Sequence, residues 1–228
     1  MAQYDVWERE YRNSQLLTKE NKPQNDVVRF VKFLKKEAGL NIEDLSVLDI
    51  GSGAGRNTNY FSTLDAKATG LEISDTAINI AKRYAHDMSV APTFIKHDIG
   101  QVYPLEDQSF DIALDITSSN SLDEKGREIY LKEVSRVLKS GGYFFVRALC
   151  KDGDSNAKNL LKINPGKEKD TYVMKELGLT ERVFSKDDFM ATYSQYFDIV
   201  SVEKKSGYAR MNNRSYKRNY WLAIMKKK

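Results

Sequence analysis

The sequence predicts an α/β fold in which a mostly parallel sheet lies between two layers of helices. Short apolar runs alternate with amphipathic helical patterns along most of the chain. The first run, SVLDI at 46–50, leads directly into three glycines, Gly51, Gly53 and Gly55. The connection between the last two runs is too short for a helical crossover, so we expect that pair to be antiparallel.

Seven segments read as strands, and the first five should form the parallel part of the sheet, covered by helices on both faces. In chain order they are 46–50, 68–72, 92–96, 110–115, 143–149, 197–205 and 217–226. About a dozen residues, rich in Asn, Gly and Ser, link the last two.

Helical patterns fill the intervals in the first half of the chain. Apolar residues recur at spacings of three and four over 27–38, with Pro23 upstream as a start signal. Ser74 is a suitable N-cap for the helix after the second strand, because its hydroxyl can accept a bond from a free backbone N–H.

Two further helices follow in the second half. An apolar stripe over 130–138 predicts a helix that ends at the glycine pair beginning with Gly141. Ser185 is a suitable N-cap for the last helix, with Phe184 and Phe189 placed to pack across its start.

Two segments stand outside this alternation. Residues 1–24 precede the sheet and carry Trp7 and Tyr11, four positions apart on a predicted helix. Residues 151–183 form a long connection before the last helix, and such connections are often lids or binding loops. We expect a single domain over 1–228, because that length buries one sizeable core.

Composition restricts the class of protein. Hydrophobic residues make up 41% and charged residues 30%, and no apolar run is long enough to span a bilayer. The start is charged and aromatic, unlike a secretory signal. The single cysteine, Cys150, fits a reducing compartment, so we expect a cytoplasmic protein without membrane contact. One Cys and two His are too few for a zinc site, and no metal is expected.

Charge is concentrated at the C-terminus. From Glu203 onward, nine Lys and Arg residues face a single acid. This pattern suits binding of RNA or of an anionic substrate. Solvated ends of a strand pair and a charged KKK tail are the simpler explanation.

The glycine-rich loop lies where ligands of parallel sheets bind, at the carboxyl end of the first strand. A dinucleotide fingerprint would place its third glycine at position 56, where this chain has Arg56. A long side chain there would crowd the helix against the strand. An NAD or FAD site is therefore disfavoured.

The pattern Asp49-x-Gly51-x-Gly53-x-Gly55 resembles that of the class I S-adenosylmethionine (SAM) dependent methyltransferases. The resemblance covers about residues 27–150 for cofactor binding and reaches the C-terminus for topology. It implies a Rossmann-like three-layer αβα sandwich with strand order 3-2-1-4-5-7-6, in which strand 7 is antiparallel.

The resemblance also implies how the cofactor is held. Gly51 and Gly53 let the backbone approach the ligand, and Asp49 faces its ammonium group. Arg56 favours its carboxylate, and Tyr11 belongs to a flap over it. Residues after strand 2 are implied to bind the ribose of SAM, residues after strand 3 its adenine, and residues after strand 4 its methionine end. The implied cofactor-binding residues are Tyr11, Asp49, Gly51, Ser52, Gly53, Gly55, Arg56, Glu72, Ile73, Asp98, Ile99, Asp115, Ile116 and Thr117.

The implied reaction is direct displacement of the methyl group, which needs alignment and exclusion of water more than a general base. No catalytic residue is identified. The acceptor pocket should form from the N-terminal aromatics, the 116–121 loop and the 151–183 insertion, with Asn120 and Arg147 as candidate polar contacts.

The residues after strand 4 bear on the acceptor. Asp115-Ile116-Thr117 lacks the Asn/Asp-Pro-Pro-aromatic motif of enzymes that methylate amino groups of adenine, cytosine or glutamine. No cysteine directly follows strand 4 either, which speaks against methylation of carbon 5 of cytosine in RNA. A small-molecule acceptor is therefore expected, and the stretch 55–58, GRNT, is similar to tellurite-resistance and thiopurine methyltransferases. The alternatives are an RNA- or protein-modifying enzyme that uses the basic C-terminal hairpin, and a SAM-binding subunit without turnover.

Overall fold

The computed structural model describes residues 4–14, 21–211 and 214–228. They form one seven-stranded sheet and one two-stranded sheet. The helices are α1 (Tyr4–Arg12), α2 (Asn25–Lys36), α3 (Arg56–Ser62), α4 (Asp75–Asp87), α5 (Glu124–Val137), α6 (Ser155–Ile163) and α7 (Lys186–Tyr193). The strands are β1 (Ser46–Ile50), β2 (Lys67–Glu72), β3 (Thr93–Lys96), β4 (Phe110–Ile116), β5 (Leu138–Leu149), β6 (Thr171–Met174), β7 (Leu179–Arg182), β8 (Phe197–Met211) and β9 (Arg214–Lys227).

The large sheet has the order β3-β2-β1-β4-β5-β9-β8. Strands β1 to β5 pair in parallel, and β9 pairs antiparallel with both β5 and β8. Counted over the seven strands of this sheet, the order is 3-2-1-4-5-7-6, as the resemblance implied. The predicted fold class is confirmed.

Buried side chains form a core on each face of the sheet. On one face, Val27, Phe30 and Leu34 of α2 pack with Phe145 of β5. On the other, Tyr130 of α5 belongs to a second cluster that also contains residues of α7. The two clusters give the three layers, helix, sheet and helix, that the alternating sequence pattern predicted.

Two predicted helix starts are confirmed by their caps. The Ser74 hydroxyl accepts a bond from the Ala77 amide at 3.1 Å, and the Ser185 hydroxyl accepts one from the Asp188 amide at 3.2 Å. Phe184 packs edge-on against Phe189 across the second cap, with ring centroids 5.9 Å apart.

The predicted end of α5 is wrong by several residues. The helix ends at Val137 and β5 begins at Leu138, so Gly141 lies inside the strand rather than at a helix C-terminus. Its φ of +73° interrupts the regular extended backbone between the Leu138 end and the paired segment that begins at Tyr143.

The C-terminal hairpin is longer than its sequence indicated. The pairing runs from Phe197 opposite Lys227 to Met211 opposite Arg214, so most of the predicted loop of a dozen residues is strand. This segment projects past the parallel strands and is largely exposed. Polar residues and glycine therefore replace the apolar alternation by which buried strands are recognised.

The 151–183 segment also has structure that its sequence did not reveal. It contains helix α6 and the antiparallel pair β6–β7. Asp154 caps α6 by accepting a bond from the Ala157 amide at 2.7 Å. None of the helices in the described parts of the chain is both long and apolar enough to cross a bilayer.

Candidate active site

A cavity of about 890 Å³ opens at the carboxyl ends of β1, β2, β4 and β5. Its wall combines the glycine-rich loop, the residues after β2, β3 and β4, helix α1, the α6–β7 segment and the C-terminal hairpin. Twelve of the fourteen residues predicted to bind the cofactor line it: Tyr11, Asp49, Gly51, Ser52, Gly53, Arg56, Glu72, Ile73, Asp98, Ile99, Ile116 and Thr117.

The glycine-rich loop adopts backbone conformations and close contacts that a residue with a Cβ atom could not adopt without strain. Gly53 has a φ of +55°, and a Cβ there would be 2.3 Å from the Tyr11 hydroxyl. Gly55, which does not line the cavity, has a φ of +78° and caps α3. A Cβ at Gly55 would be 2.7 Å from the Ala81 side chain, so this glycine permits close packing of α3 on α4.

Asp49 ends up at the floor of the cavity, 2% exposed. One of its oxygens accepts a bond from the Thr58 hydroxyl at 2.7 Å. Burial raises its pKa to about 6, although the Thr58 bond and the nearby charge of Arg56 act in the opposite direction. A buried carboxylate of this kind gains stability when a cationic ligand group is placed beside it.

Glu72, at the end of β2, holds the glycine loop in place. It accepts hydrogen bonds from the backbone amides of Gly53, Ile73 and Ser74, each at 2.8 Å. Burial raises its pKa, and the three amides offset part of that effect. A carboxylate has about four lone-pair sites, so one remains for a ligand hydroxyl in the cavity.

The residues after β3 form the side wall. Asp98 accepts a bond from the Gly100 amide at 2.9 Å through one oxygen, and its side chain borders the cavity together with Ile73 and Ile99. A position at a strand end indicates an exposed side chain, but His97 is half-buried. It packs edge-on against Tyr103, with ring centroids 5.8 Å apart.

Asp115 is the main departure from the predicted site. It is fully buried and does not line the cavity. Its oxygens accept bonds from the Tyr130 hydroxyl at 2.6 Å and from the Ser118 amide at 2.8 Å. The structure therefore gives Asp115 a role in shaping the loop after β4, because it accepts bonds from backbone amides of that loop. Ile116 and Thr117 form the cavity wall there.

Helix α1 covers one side of the glycine loop. Glu8 accepts bonds from the Ser74 hydroxyl at 2.6 Å, the Thr76 hydroxyl at 2.6 Å and the Thr76 amide at 3.1 Å. Burial opposes ionisation of Glu8, but these bonds at the N-terminus of α4 lower its pKa to about 2. Trp7 and Tyr11 of this helix face the cavity.

The rest of the cavity combines apolar and aromatic side chains with a few polar and charged ones. Leu149, Leu160, Ile163 and Met174 line it, and so do Tyr208, Tyr216 and Tyr220 of the hairpin. Ile163, Tyr208 and Tyr216 are exposed at 56%, 75% and 37%, which gives the cavity an apolar rim. Tyr208 and Tyr216 were missed because they lie in the predicted loop between strands 197–205 and 217–226, whereas Tyr220 lies inside the second predicted strand.

Charged side chains in this part form a network within the wall. Arg218 donates to Asp154 at 3.2 Å and to the Tyr172 hydroxyl at 2.9 Å. Tyr172 in turn donates to Glu181 at 2.6 Å. Among the described residues, no group of three or more His, Cys, Asp and Glu is arranged to hold a metal ion.

The two candidate polar contacts for the acceptor differ in position. Asn120 is buried behind the wall, where its oxygen accepts a bond from the Leu149 amide at 3.2 Å. Arg147 lines the cavity. Cys150 is fully buried, and burial raises the pKa of its thiol to about 11, so it is a packed residue.

Comparison with known proteins agrees with the geometry. Residues 48–146 match the model of a family described as methyltransferase domain. A fatty-acid O-methyltransferase of Mycolicibacterium smegmatis is 33% identical over 109 residues, which cover 47% of this chain and 38% of that protein. The match thus spans well under half the length of this relative.

Solved structures share the fold. A SAM-dependent methyltransferase from Methanosarcina mazei has a TM-score of 0.73 at 23% identity, covering 81% of this chain and 93% of that one. The 1,6-didemethyltoxoflavin-N1-methyltransferase of Burkholderia thailandensis, solved with its substrate and S-adenosylhomocysteine, has a TM-score of 0.69 at 16% identity, covering 98% and 86%. TehB from Haemophilus influenzae has a TM-score of 0.67 at 16% identity, covering 99% and 67%, and is weakly consistent with the narrower resemblance.

The fold and the cavity define an α/β domain with a glycine-rich loop at the carboxyl end of β1. Its segment 48–146 matches the methyltransferase-domain family, and the solved SAM-dependent methyltransferases named above share its fold.

Proposed function

We propose that this protein transfers the methyl group of SAM to a small-molecule acceptor by direct displacement and releases S-adenosylhomocysteine. The observation that carries this proposal is the two-part cavity. Polar residues of the glycine loop and the strand ends line one side, and the side formed by α6 and the hairpin adds apolar and aromatic side chains alongside a few charged ones. A methyltransferase needs such an arrangement, since cofactor and acceptor must meet in one space without water between them.

The cofactor contacts form part of the proposal. Glu72 accepts a bond from a ribose hydroxyl, Asp98 receives the adenine amino group, and the adenine ring packs between the side chains of Ile73 and Ile99. Ser52 suits this site, because its buried hydroxyl has no hydrogen-bond partner and borders the cavity.

The methionine end occupies the opposite side of the loop. Asp49 faces the ammonium group, and Arg56 favours the carboxylate. The buried position of Asp49 supports this assignment, because a raised carboxyl pKa marks a site where a positive charge is stabilising.

The chemistry requires little of the protein beyond positioning. When bound, SAM supplies a methyl group that its positively charged sulfur has already activated. Thr117 and Ile116 fix the floor beneath the reacting atoms, while Trp7 and Tyr11 exclude water from above. No side chain is assigned as a general base.

We also propose that the chain forms one domain over 1–228, with 1–24 acting as a flap and 151–183 as a cap over the acceptor. The hydrogen bonds of Glu8 support the flap, although residues 1–3 and 15–20 lie outside the described part. The packing of Leu160 and Met174 along the cavity supports the cap. The single, buried Cys150 supports a reducing, cytoplasmic setting.

A small acceptor is favoured over RNA or protein because several basic residues of the C-terminal hairpin are engaged within the protein. Lys205 is paired with Asp26, Arg218 with Asp154, and the Lys227 ammonium bonds to a backbone carbonyl. Charges occupied in this way do not form an open basic surface. The fatty-acid and toxoflavin-type names of the relatives also support a small acceptor.

The test is release of S-adenosylhomocysteine from SAM in the presence of acceptor panels. We expect turnover with small apolar acceptors and none with total RNA or unfolded protein. Turnover with RNA that weakens steeply with added salt would contradict the small-molecule assignment. Tight binding of SAM without turnover on any panel would instead favour a binding subunit.

A further inference from the structure

Arg147 is an unusual residue in the apolar part of the cavity. It lies on β5, directly opposite Ile116 in the register, and its carbonyl accepts a bond from the Thr117 amide at 2.8 Å. Neighbouring strands are about 4.8 Å apart, so Arg147 stands one strand away from the residues proposed to lie beneath the methyl group. Its side chain is only 16% exposed.

The Arg147 guanidinium is held by packing more than by hydrogen bonds. Its central carbon lies 3.5 Å from the centroid of the Tyr220 ring, a stacked arrangement. The nearest carboxylate, that of Asp26, is 3.5 Å from its Nε, and this buried N–H has no hydrogen-bond partner. Stacking fixes the plane of the guanidinium while leaving a donor unused.

Asp26 does not neutralise this site. Its other oxygen is engaged by the ammonium group of Lys205, which lies beside it. Arg147 and Lys205 therefore share one carboxylate, and the group of three carries a net charge of about +1. Asp26 and Lys205 border a smaller depression that Arg147 shares with the main cavity.

Two other charged side chains on the acceptor wall are already paired. Arg218 donates to Asp154 and Tyr172, and Glu181 accepts from Tyr172. Glu176 is exposed on the turn before β7. Among the described cavity-lining arginines, Arg147 is the one with a buried N–H that no protein atom accepts.

We propose that Arg147 binds an anionic oxygen group of the acceptor, so that the acceptor is a small organic acid with an apolar body. The carboxylate pairs with the guanidinium, and the apolar body lies along Leu160 and Ile163 toward the exposed Tyr208 at the rim. The guanidinium has only a carboxylate that it shares with Lys205, and its buried N–H makes no hydrogen bond, so a second anionic group is favoured; a carboxylate is the ligand that suits a planar guanidinium best. This inference rests on the proposed function.

The experiment measures binding to the full chain saturated with S-adenosylhomocysteine. Decanoate and naphthoate are titrated by calorimetry, each alongside its alcohol, decanol or naphthylmethanol. Arg147→Gln is compared with wild type, and Arg29→Gln serves as the matched control because Arg29 makes only an exposed pair with Glu203. Transfer of labelled methyl to each acid is a second readout.

We expect at least one acid to bind more tightly than its alcohol, and Arg147→Gln to weaken that acid by about 10-fold or more. The alcohols and the affinity for S-adenosylhomocysteine should be unchanged, and Arg147→Lys should retain part of the preference. The inference would be overturned if the wild type bound each acid and its alcohol equally tightly, or if Arg147→Gln weakened the binding of acid and alcohol by the same factor. Either result would leave the proposed function intact. Failure of the wild type to bind S-adenosylhomocysteine would overturn both.

Discussion

The hydroxyl of Tyr11 lies so close to Gly53 that a Cβ at residue 53 would be 2.3 Å from it. This contact joins the N-terminal helix to the glycine-rich loop. The loop is held from below as well, because Glu72 accepts a bond from the Gly53 amide at 2.8 Å. Gly53 thus lies between the flap and the proposed ribose-binding acid, and its backbone is fixed on both sides.

Gly53→Ala is expected to weaken binding of S-adenosylhomocysteine by about 10-fold or more, because the new methyl group displaces Tyr11 and strains the backbone. The left-handed backbone alone costs roughly 1–2 kcal/mol of unfolding free energy. Gly141→Ala is the control, since Gly141 has a φ of +73° and a Cβ added there would meet no atom within 4 Å. Both variants should lose similar stability in denaturant unfolding, and only Gly53→Ala should lose affinity.

Glu72→Gln should lower affinity for S-adenosylhomocysteine about 10- to 100-fold, because a charge-assisted bond to a hydroxyl contributes about 1.5–3 kcal/mol. Thermal stability should fall as well, because the Gln NH2 group cannot accept the backbone N–H bonds that one carboxylate oxygen of Glu72 now accepts. Glu203→Gln, on the exposed hairpin, is the matched control. Unchanged affinity of Glu72→Gln in calorimetry would remove this residue from the site.

Affinity for S-adenosylhomocysteine should fall as the pH drops below about 6, the raised pKa of Asp49. Protonation of Asp49 removes the negative charge that faces the ligand ammonium, and the loss should reach at most about 10-fold per pH unit. The stability of the unliganded fold changes in the opposite direction from the affinity as the pH falls. A raised carboxyl pKa means that the folded state binds the proton more tightly, so this residue stabilises the unliganded fold as the pH falls from about 6 toward 3.8.

Asp49→Asn supplies the control for this pH dependence. The variant should bind weakly at every pH, and its affinity should change little between pH 5 and 7. A wild-type affinity that stays flat across this range would contradict the placement of Asp49 beside the ammonium group.

Glu8→Gln should loosen α1, because it weakens three hydrogen bonds at the start of α4. Hydrogen exchange of residues 4–14 should speed up while exchange of the central strands stays the same. The depressed pKa of Glu8 gives its contribution a pH window. It is present above the unfolded value of 4.5 and is lost as the pH falls toward about 2. Asp5→Asn, on the exposed side of the same helix, should leave the exchange unchanged.

The cofactor side of the cavity was predictable because its residues occupy fixed places relative to strand ends. Asp49 lies near the end of β1, Glu72 ends β2 and Asp98 follows β3, and these strands were recognisable by their apolar runs. Asp115 shares this position but faces away, since its contacts are with Tyr130 and the Ser118 amide. Local sequence identifies a strand end, and packing decides which way the side chain turns.

The acceptor side was less predictable for a physical reason. Tyr208 and Tyr216 lie on exposed parts of the paired strands β8 and β9. The neighbouring residues there are mostly polar, so the sequence lacks the apolar alternation that identifies a strand. Leu160 and Met174 lie in a segment whose helix and short sheet depend on contacts distant in the sequence. The Arg147–Tyr220 stacking arises from pairing of β5 with β9, which lies much later in the chain, and no local pattern reports it.

A crystal structure of the protein with S-adenosylhomocysteine would show whether the cavity is the cofactor site. We expect a ribose bonded to Glu72, an adenine between Ile73 and Ile99, and an amino acid end over the glycine loop beside Asp49. A cavity that stays empty at saturating ligand, or a ligand bound away from the glycine loop, would contradict this expectation.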